Sequence, residues 1–167
     1  MENNITVNME NLSEEERKQL MKLIQKSNGS KWKVCKPKNN EKYFFISGCG
    51  VINSFRWIND STDNGCYGIG NCFKTEEEAE FALEKAKVET ELRRFAEENN
   101  EYEIDWTDED QEKWCMYYSY MDGDVYFTDA YCHKRNDIYF SSKKIGVQAV
   151  DSIGKERLKK YYFEVED

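Results

Sequence analysis

A strand that runs into a capping box constrains this chain more than any other feature. Residues 67–85 read Tyr-Gly-Ile-Gly-Asn-Cys-Phe-Lys-Thr-Glu-Glu-Glu-Ala-Glu-Phe-Ala-Leu-Glu-Lys. The spacing predicts a short strand ending at Phe73, an N-cap at Thr75 and a helix beyond it. The Thr75 hydroxyl can accept from the Glu78 amide while the Glu78 carboxylate accepts from the Thr75 amide, which satisfies two orphan donors of the first turn. Glu76, Glu77 and Glu78 also set negative charge at the positive end of the helix dipole. A weaker echo follows at 137–144, Asp-Ile-Tyr-Phe-Ser-Ser-Lys-Lys, with apolar Ile145, Ala149, Val150 and Ile153 after it. Each copy has an aromatic strand end, a short polar joint carrying a hydroxyl, and an amphipathic helix.

The rest of the chain arranges itself around these two units. Asn8 to Ser27 predicts a first helix, opened by a Ser13/Glu16 capping box and closed by Gly29. Its stripe of Leu20, Leu23 and Ile24, with Met21 beside it, fits docking on the body or, alternatively, the seam of a homodimer or a partner-binding helix. Glu41–Ser47 and Val51–Trp57 predict a hairpin around Gly48-Cys49-Gly50. Residues 59–65 read as a polar loop and Tyr67–Phe73 as the strand that feeds the helix from Glu76 to about Asn99. On that helix Ala79, Ala82, Leu83 and Ala86 form one apolar row, broadened by Phe81, Val88, Leu92 and Phe95. A second hairpin is predicted from Trp114–Tyr120 and Val125–His133 across Asp122-Gly123-Asp124. The strand Ile138–Phe140 and a last helix broken at Gly154 follow, with Leu158, Tyr161 and Tyr162 facing inward. The expected fold is α+β: an N-terminal helix, then two repeated hairpin–strand–helix units with antiparallel sheet packed on helices. The divisions are 1–30, 31–100 and 101–167.

Charge is the second constraint. The net charge of −9 is matched by nine carboxylates in one window, Glu97, Glu98, Glu101, Glu103, Asp105, Asp108, Glu109, Asp110 and Glu112, with no Lys or Arg among them. Clustered cations are what duplex binding requires, so this chain is not expected to hold duplex phosphate. It suits a partner with a basic surface. Tyr102, Ile104 and Trp106 lie among these charges and could anchor such a partner, making 97–112 the candidate binding site. A solvated boundary between modules is the plain alternative.

Several chemistries are expected to be absent. No apolar run reaches membrane-spanning length and no secretory signal is visible, which points to the cytoplasm and to reduced thiols at Cys35, Cys49, Cys66, Cys72, Cys115 and Cys132. The four cysteines of the first unit lack the close ligand pairs of a structural zinc site. The only histidine, His133, follows Cys132 directly, so in a strand the two side chains point apart and cannot act as nucleophile and base. Residues 60–71 fit a calcium loop at Asp60, Thr62, Asn64 and Gly65, but place Asn71 where a bidentate glutamate is needed. Asp122 and Asp124 flank a turn glycine; with Asp129 and Asp137 they make no hydrolytic pair. No cofactor, metal or catalytic residue is expected. The stretch 31–43, with Lys31, Lys33, Lys36, Lys38 and Lys42 beside Trp32 and Tyr43, suits either single-stranded nucleic acid or a guarded sheet edge.

The runs Glu41–Ile46, Gly50–Ile52, Trp57 and Gly70–Glu80, with Tyr139–Ser142 and Ile153–Phe163, resemble a pattern in small proteins of phages and prophages of Gram-positive bacteria. Cys72 departs from it, since an aromatic or aliphatic residue often stands there. The resemblance implies a mobile-element accessory protein working in the host bacterial cytoplasm. By the same resemblance the expected role is non-enzymatic inhibition of a host defence protein, as anti-CRISPR proteins inhibit a CRISPR effector or another nucleic-acid-binding nuclease complex.

Overall fold

A run of three aromatics, Tyr43, Phe44 and Phe45, forms the first strand of the first hairpin. The computed structural model describes residues 12–17, 19–20, 36–130, 134–135 and 137–165. In it β1 (Lys42–Ile46) pairs antiparallel with β2 (Ile52–Arg56), Tyr43 lying opposite Phe55. Gly50, at φ 77°, supplies the left-handed residue that the turn demands. One face of the hairpin buries Tyr43 against Trp57 and Cys72, with Phe45, Cys66 and Tyr67 packed beside them.

Beyond the hairpin the structure corrects the sequence reading. Residues 59–65 are not a loop and Tyr67–Phe73 is not a strand: Ser61–Gly68 is a helix, α1, and only Phe73 pairs with the sheet, through Phe44. The cause is a second kind of capping box. The Asp63 amide donates to Asp60 Oδ1 at 2.8 Å, and Asp63 Oδ2 accepts from the Asp60 amide at 3.4 Å. An aspartate replaces the glutamate or glutamine that usually marks this position. Tertiary contacts complete the helix, as Asp63 is 2% exposed and accepts from the Tyr43 hydroxyl at 2.7 Å and the Ile58 amide at 2.7 Å. Burial alone would raise the Asp63 pKa; the donors around it outweigh burial and hold it below the ordinary value of 3.8. A depressed carboxylate adds stability above its unfolded pKa and loses it as pH falls through the folded one. Acid titration of the folded chain should therefore lower its melting temperature below pH 3.8, and Asp63→Asn should flatten that fall. A variant melting curve parallel to the wild type throughout would refute the assignment.

The long helix α2 (Glu76–Asn99) matches its expected range, and both bonds of the Thr75/Glu78 capping box are present. Its buried face differs in part. Ala79, Val88, Leu92 and Ala96 are buried while Ala86 faces solvent. The row 88–92–96 joins one core with Ile145 and Ala149 of α3 (Lys143–Ile153) and Leu158 of α4 (Lys155–Tyr161), and α2 also lies against β1 and β2. The Arg157 guanidinium forks onto the Glu91 carboxylate and reaches Glu84 at 3.5 Å, clamping α4 to α2.

The second sheet has the order β4 (Asp124–Asp129), β3 (Trp114–Ser119), β5 (Tyr139–Phe140), all antiparallel. Its inner residues Met116, Val125 and Phe140 join Val88, Leu92, Ile145, Ala149 and Leu158 in the main core. Gly146 brings α3 close to the sheet, since a Cβ there would overlap the Phe127 ring. Gly146→Ala should cost about 1–2 kcal/mol net of its better helix propensity. Adding Phe127→Leu to it should recover part of the loss in chemical denaturation; a double variant no more stable than the single one would contradict the clash.

The molecule is thus α+β, with small antiparallel sheets and helices. Residues 14–17 and 19–20 are helical behind the expected Ser13/Glu16 cap. The remainder of the N-terminal helix, its dimer stripe at Met21, Leu23 and Ile24, and the Gly29 cap lie outside the described residues. Among the described residues no helix is long and apolar enough to cross a membrane.

Candidate functional site

The acidic window leaves α2 and folds back over β5. Asn100 makes the first stitch: its Nδ2 donates to the Tyr139 carbonyl at 3.1 Å and its Oδ1 accepts from the Ser141 amide at 2.9 Å. The Glu101 amide donates to Ser141 Oγ at 2.9 Å. The Tyr102 hydroxyl shares its hydrogen between the Ser141 carbonyl at 2.7 Å and the Glu112 carbonyl at 3.0 Å. Burial, and then the nearby carboxylates of Glu112, Glu101 and Asp108, raise its pKa. Trp106 meets the buried Tyr139 ring edge-on at 4.8 Å. The two aromatics expected to anchor a partner are therefore half-buried and anchor the segment to its own sheet.

A carboxylate cannot donate a hydrogen bond, so nine of them leave a loop's carbonyls without partners. Neutral and cationic neighbours supply the donors. Gln111 accepts from the Asp105 amide at 2.7 Å and donates to the Glu103 carbonyl at 3.1 Å. Lys113 is only 1% exposed, and its ammonium donates to the carbonyls of Asp108 at 2.6 Å and Gln111 at 3.0 Å. The loop is wound around this buried cation. Asp105 is held below its usual pKa by the Thr107 hydroxyl and amide, with Lys113 assisting. All nine carboxylates of the window remain exposed.

Two hollows flank the segment. A cavity of about 210 Å³ is bordered by Glu109, Asp110, Glu112, Lys113 and Asp129. A wider groove of about 710 Å³ runs between the end of α2, the segment and residues 134–139. Sequence reasoning missed Lys113, Asn100 and Lys134. The first could have been found as the lone cation directly after nine anions; the other two are distant in sequence from what they touch.

The remaining candidates are placed as follows. Lys31, Trp32 and Lys33 lie outside the described residues. Lys36 Nζ stands over the rings of Trp57 and Tyr67, at 5.3 and 5.8 Å, and Lys42 over Phe44 at 4.4 Å. Trp57 is 2% exposed, so its ring is closed to a stacking base. Cys66 and Cys72 sit beneath Tyr43, where burial pushes the Cys72 thiol up to about 11, whereas Cys49 is exposed at the hairpin turn. Cys35, Cys132 and His133 lie outside the described residues. Asp122 accepts from Ser119 Oγ at 2.8 Å and Asp124 is paired with Lys155 at 2.7 Å. Among the described residues no group of three His, Cys, Asp or Glu side chains could hold a metal ion. No protein-family model, curated protein or solved structure matches the chain.

Proposed function

We propose that this protein is a non-enzymatic phage accessory protein that presents its acidic segment to a basic, nucleic-acid-binding host defence protein in the host cytoplasm, in the manner of an anti-CRISPR inhibitor. The observation that carries this reading is the sorting of polar groups in 97–112. Uncharged residues and one buried lysine supply the donors that the loop carbonyls need. Asp105 and Asp108 accept from the Thr107 and Asp110 amides, and all nine carboxylates stay exposed. A fixed array of anions concentrates attraction for a cationic groove without a folding cost on binding. The resemblance to phage and prophage proteins agrees with that partner class.

We also read the chain as two related halves. In the first, β1 is flanked by β2 and by Phe73, two residues before the cap Thr75; in the second, β3 is flanked by β4 and by β5, whose last residue lies two before the cap Ser142. The acidic segment occupies the join between them.

The test is a pull-down from bacterial lysate read by mass spectrometry, followed by affinity measurement at several salt concentrations. Neutralising Glu101, Asp105, Asp108 and Asp110 together as amides should weaken the complex and flatten its salt dependence. If neither the affinity nor the salt slope moves, the acidic segment is not the binding surface.

A further inference from the structure

The wide groove beside Trp106 already holds a cation from its own chain. Lys134 is exposed, its Nζ lies 5.9 Å from the Trp106 ring centroid, and among the described residues it forms no ion pair. Glu97, Glu103 and Asp137 line the same groove with Tyr102 and Tyr139. Arg93 lines it too, but its guanidinium is bonded to Glu89 at 2.6 Å, so its charge is already matched. The Lys113 ammonium also stands over the Trp106 ring, at 5.8 Å, but it is buried and bonded to the Asp108 and Gln111 carbonyls. The three carboxylates thus share the groove with one exposed, loosely held ammonium, that of Lys134, next to the indole.

We propose that this groove is a socket for an arginine or lysine side chain of a basic protein partner, which displaces Lys134 from Trp106. The proposal rests on the acidic-segment reading and narrows it to one place. Carboxylates draw the cation in, and the aromatic wall favours a guanidinium, which is weakly hydrated and stacks flat, over an ammonium. Lys134 fills the socket meanwhile and keeps the ring from lying bare. A segment rich in arginine fits this chemistry better than a nucleobase, which the surrounding carboxylates would not attract and whose phosphates they would repel.

The experiment uses the full chain and an oligo-arginine peptide, followed through the indole N–H signal of Trp106 in NMR, assigned by its loss in Trp106→Leu. The peptide should shift that signal, an oligo-lysine peptide should shift it less, and a glycine–serine peptide of equal length should leave it in place. Lys134→Ala should tighten oligo-arginine binding by about fivefold. Glu97→Gln with Glu103→Gln should weaken it by about tenfold, whereas Glu109→Gln with Asp110→Asn, an equal loss of charge outside the groove, should change it by less than about twofold. If both pairs weaken binding equally and the Trp106 signal stays still, diffuse charge holds the peptide; the socket is then overturned while the acidic surface stands. If no cationic peptide binds, both readings fall. A single-stranded oligonucleotide that shifts the signal in place of the peptides overturns the socket in favour of nucleic acid. Should Trp106→Leu fail to fold, Lys134→Ala and the two carboxylate pairs still decide.

Discussion

Phe140→Ala should lower the unfolding free energy by about 3–5 kcal/mol. Phe140 is fully buried, ends the two-residue strand β5 and pairs with Trp114 on one side while filling the core against α2 and α3 on the other. A strand this short has too few hydrogen bonds to hold its place, so its position depends on that ring. The loss should therefore travel. Asn100, Glu101, Tyr102 and Trp106 are all fastened to residues 139–141, and they should loosen when β5 shifts. Denaturant melts give the first number, and hydrogen exchange at 100–106 gives the second. A variant that loses stability but keeps full protection in the acidic segment would show that the segment is held by something other than β5.

The second large effect concerns Lys113. Lys113→Met keeps the length of the stem but removes the donor from the carbonyls of Asp108 and Gln111, at a cost of about 1–3 kcal/mol. The damage should be local, because the ammonium bonds only to its own loop among the described residues. Amides of 105–112 should exchange faster while those of Leu92 and Ala149 keep their protection. Two opposed terms decide the outcome. Removing the ammonium relieves the cost of burying a charge, which favours the variant; it also strands two carbonyls and unbalances the carboxylates around them. The carboxylates are exposed and screened, so the stranded carbonyls should dominate. Unchanged exchange in 105–112 would mean that Gln111 and Asp105 suffice to fix the loop.

Much of the scaffold could be read from local chemistry. The capping boxes at Ser13 and Thr75, the hairpin turns at Gly50 and Gly123, and the break at Gly154 are decided within a few residues, and each stands where its side chains predict. The helix α1 could not be read the same way. Its sequence is poor in helix formers, with two glycines in eight residues, and it forms because Asp63 and Tyr67 meet Tyr43 and Trp57 from β1 and the end of the hairpin. The buried face of α2 was misjudged at Ala86 for a similar reason. Periodicity gives a stripe, but which neighbour covers it depends on where α3 and α4 return. The acidic window was legible as charge alone. That Tyr102 and Trp106 turn inwards follows from Ser141 and Tyr139, more than thirty residues away.

Asn100 has a counterpart in the first sheet, where the Asn71 amide bonds the Ile46 N–H at 2.8 Å and its carbonyl at 2.7 Å. Each sheet thus has a margin plugged by a side chain that no incoming strand can extend. Any growth into fibres or swapped assemblies must start from the other margins, β2 or β4. The direction in which this protein would misassemble is therefore set by two asparagines, helped at β1 by the Phe73 backbone.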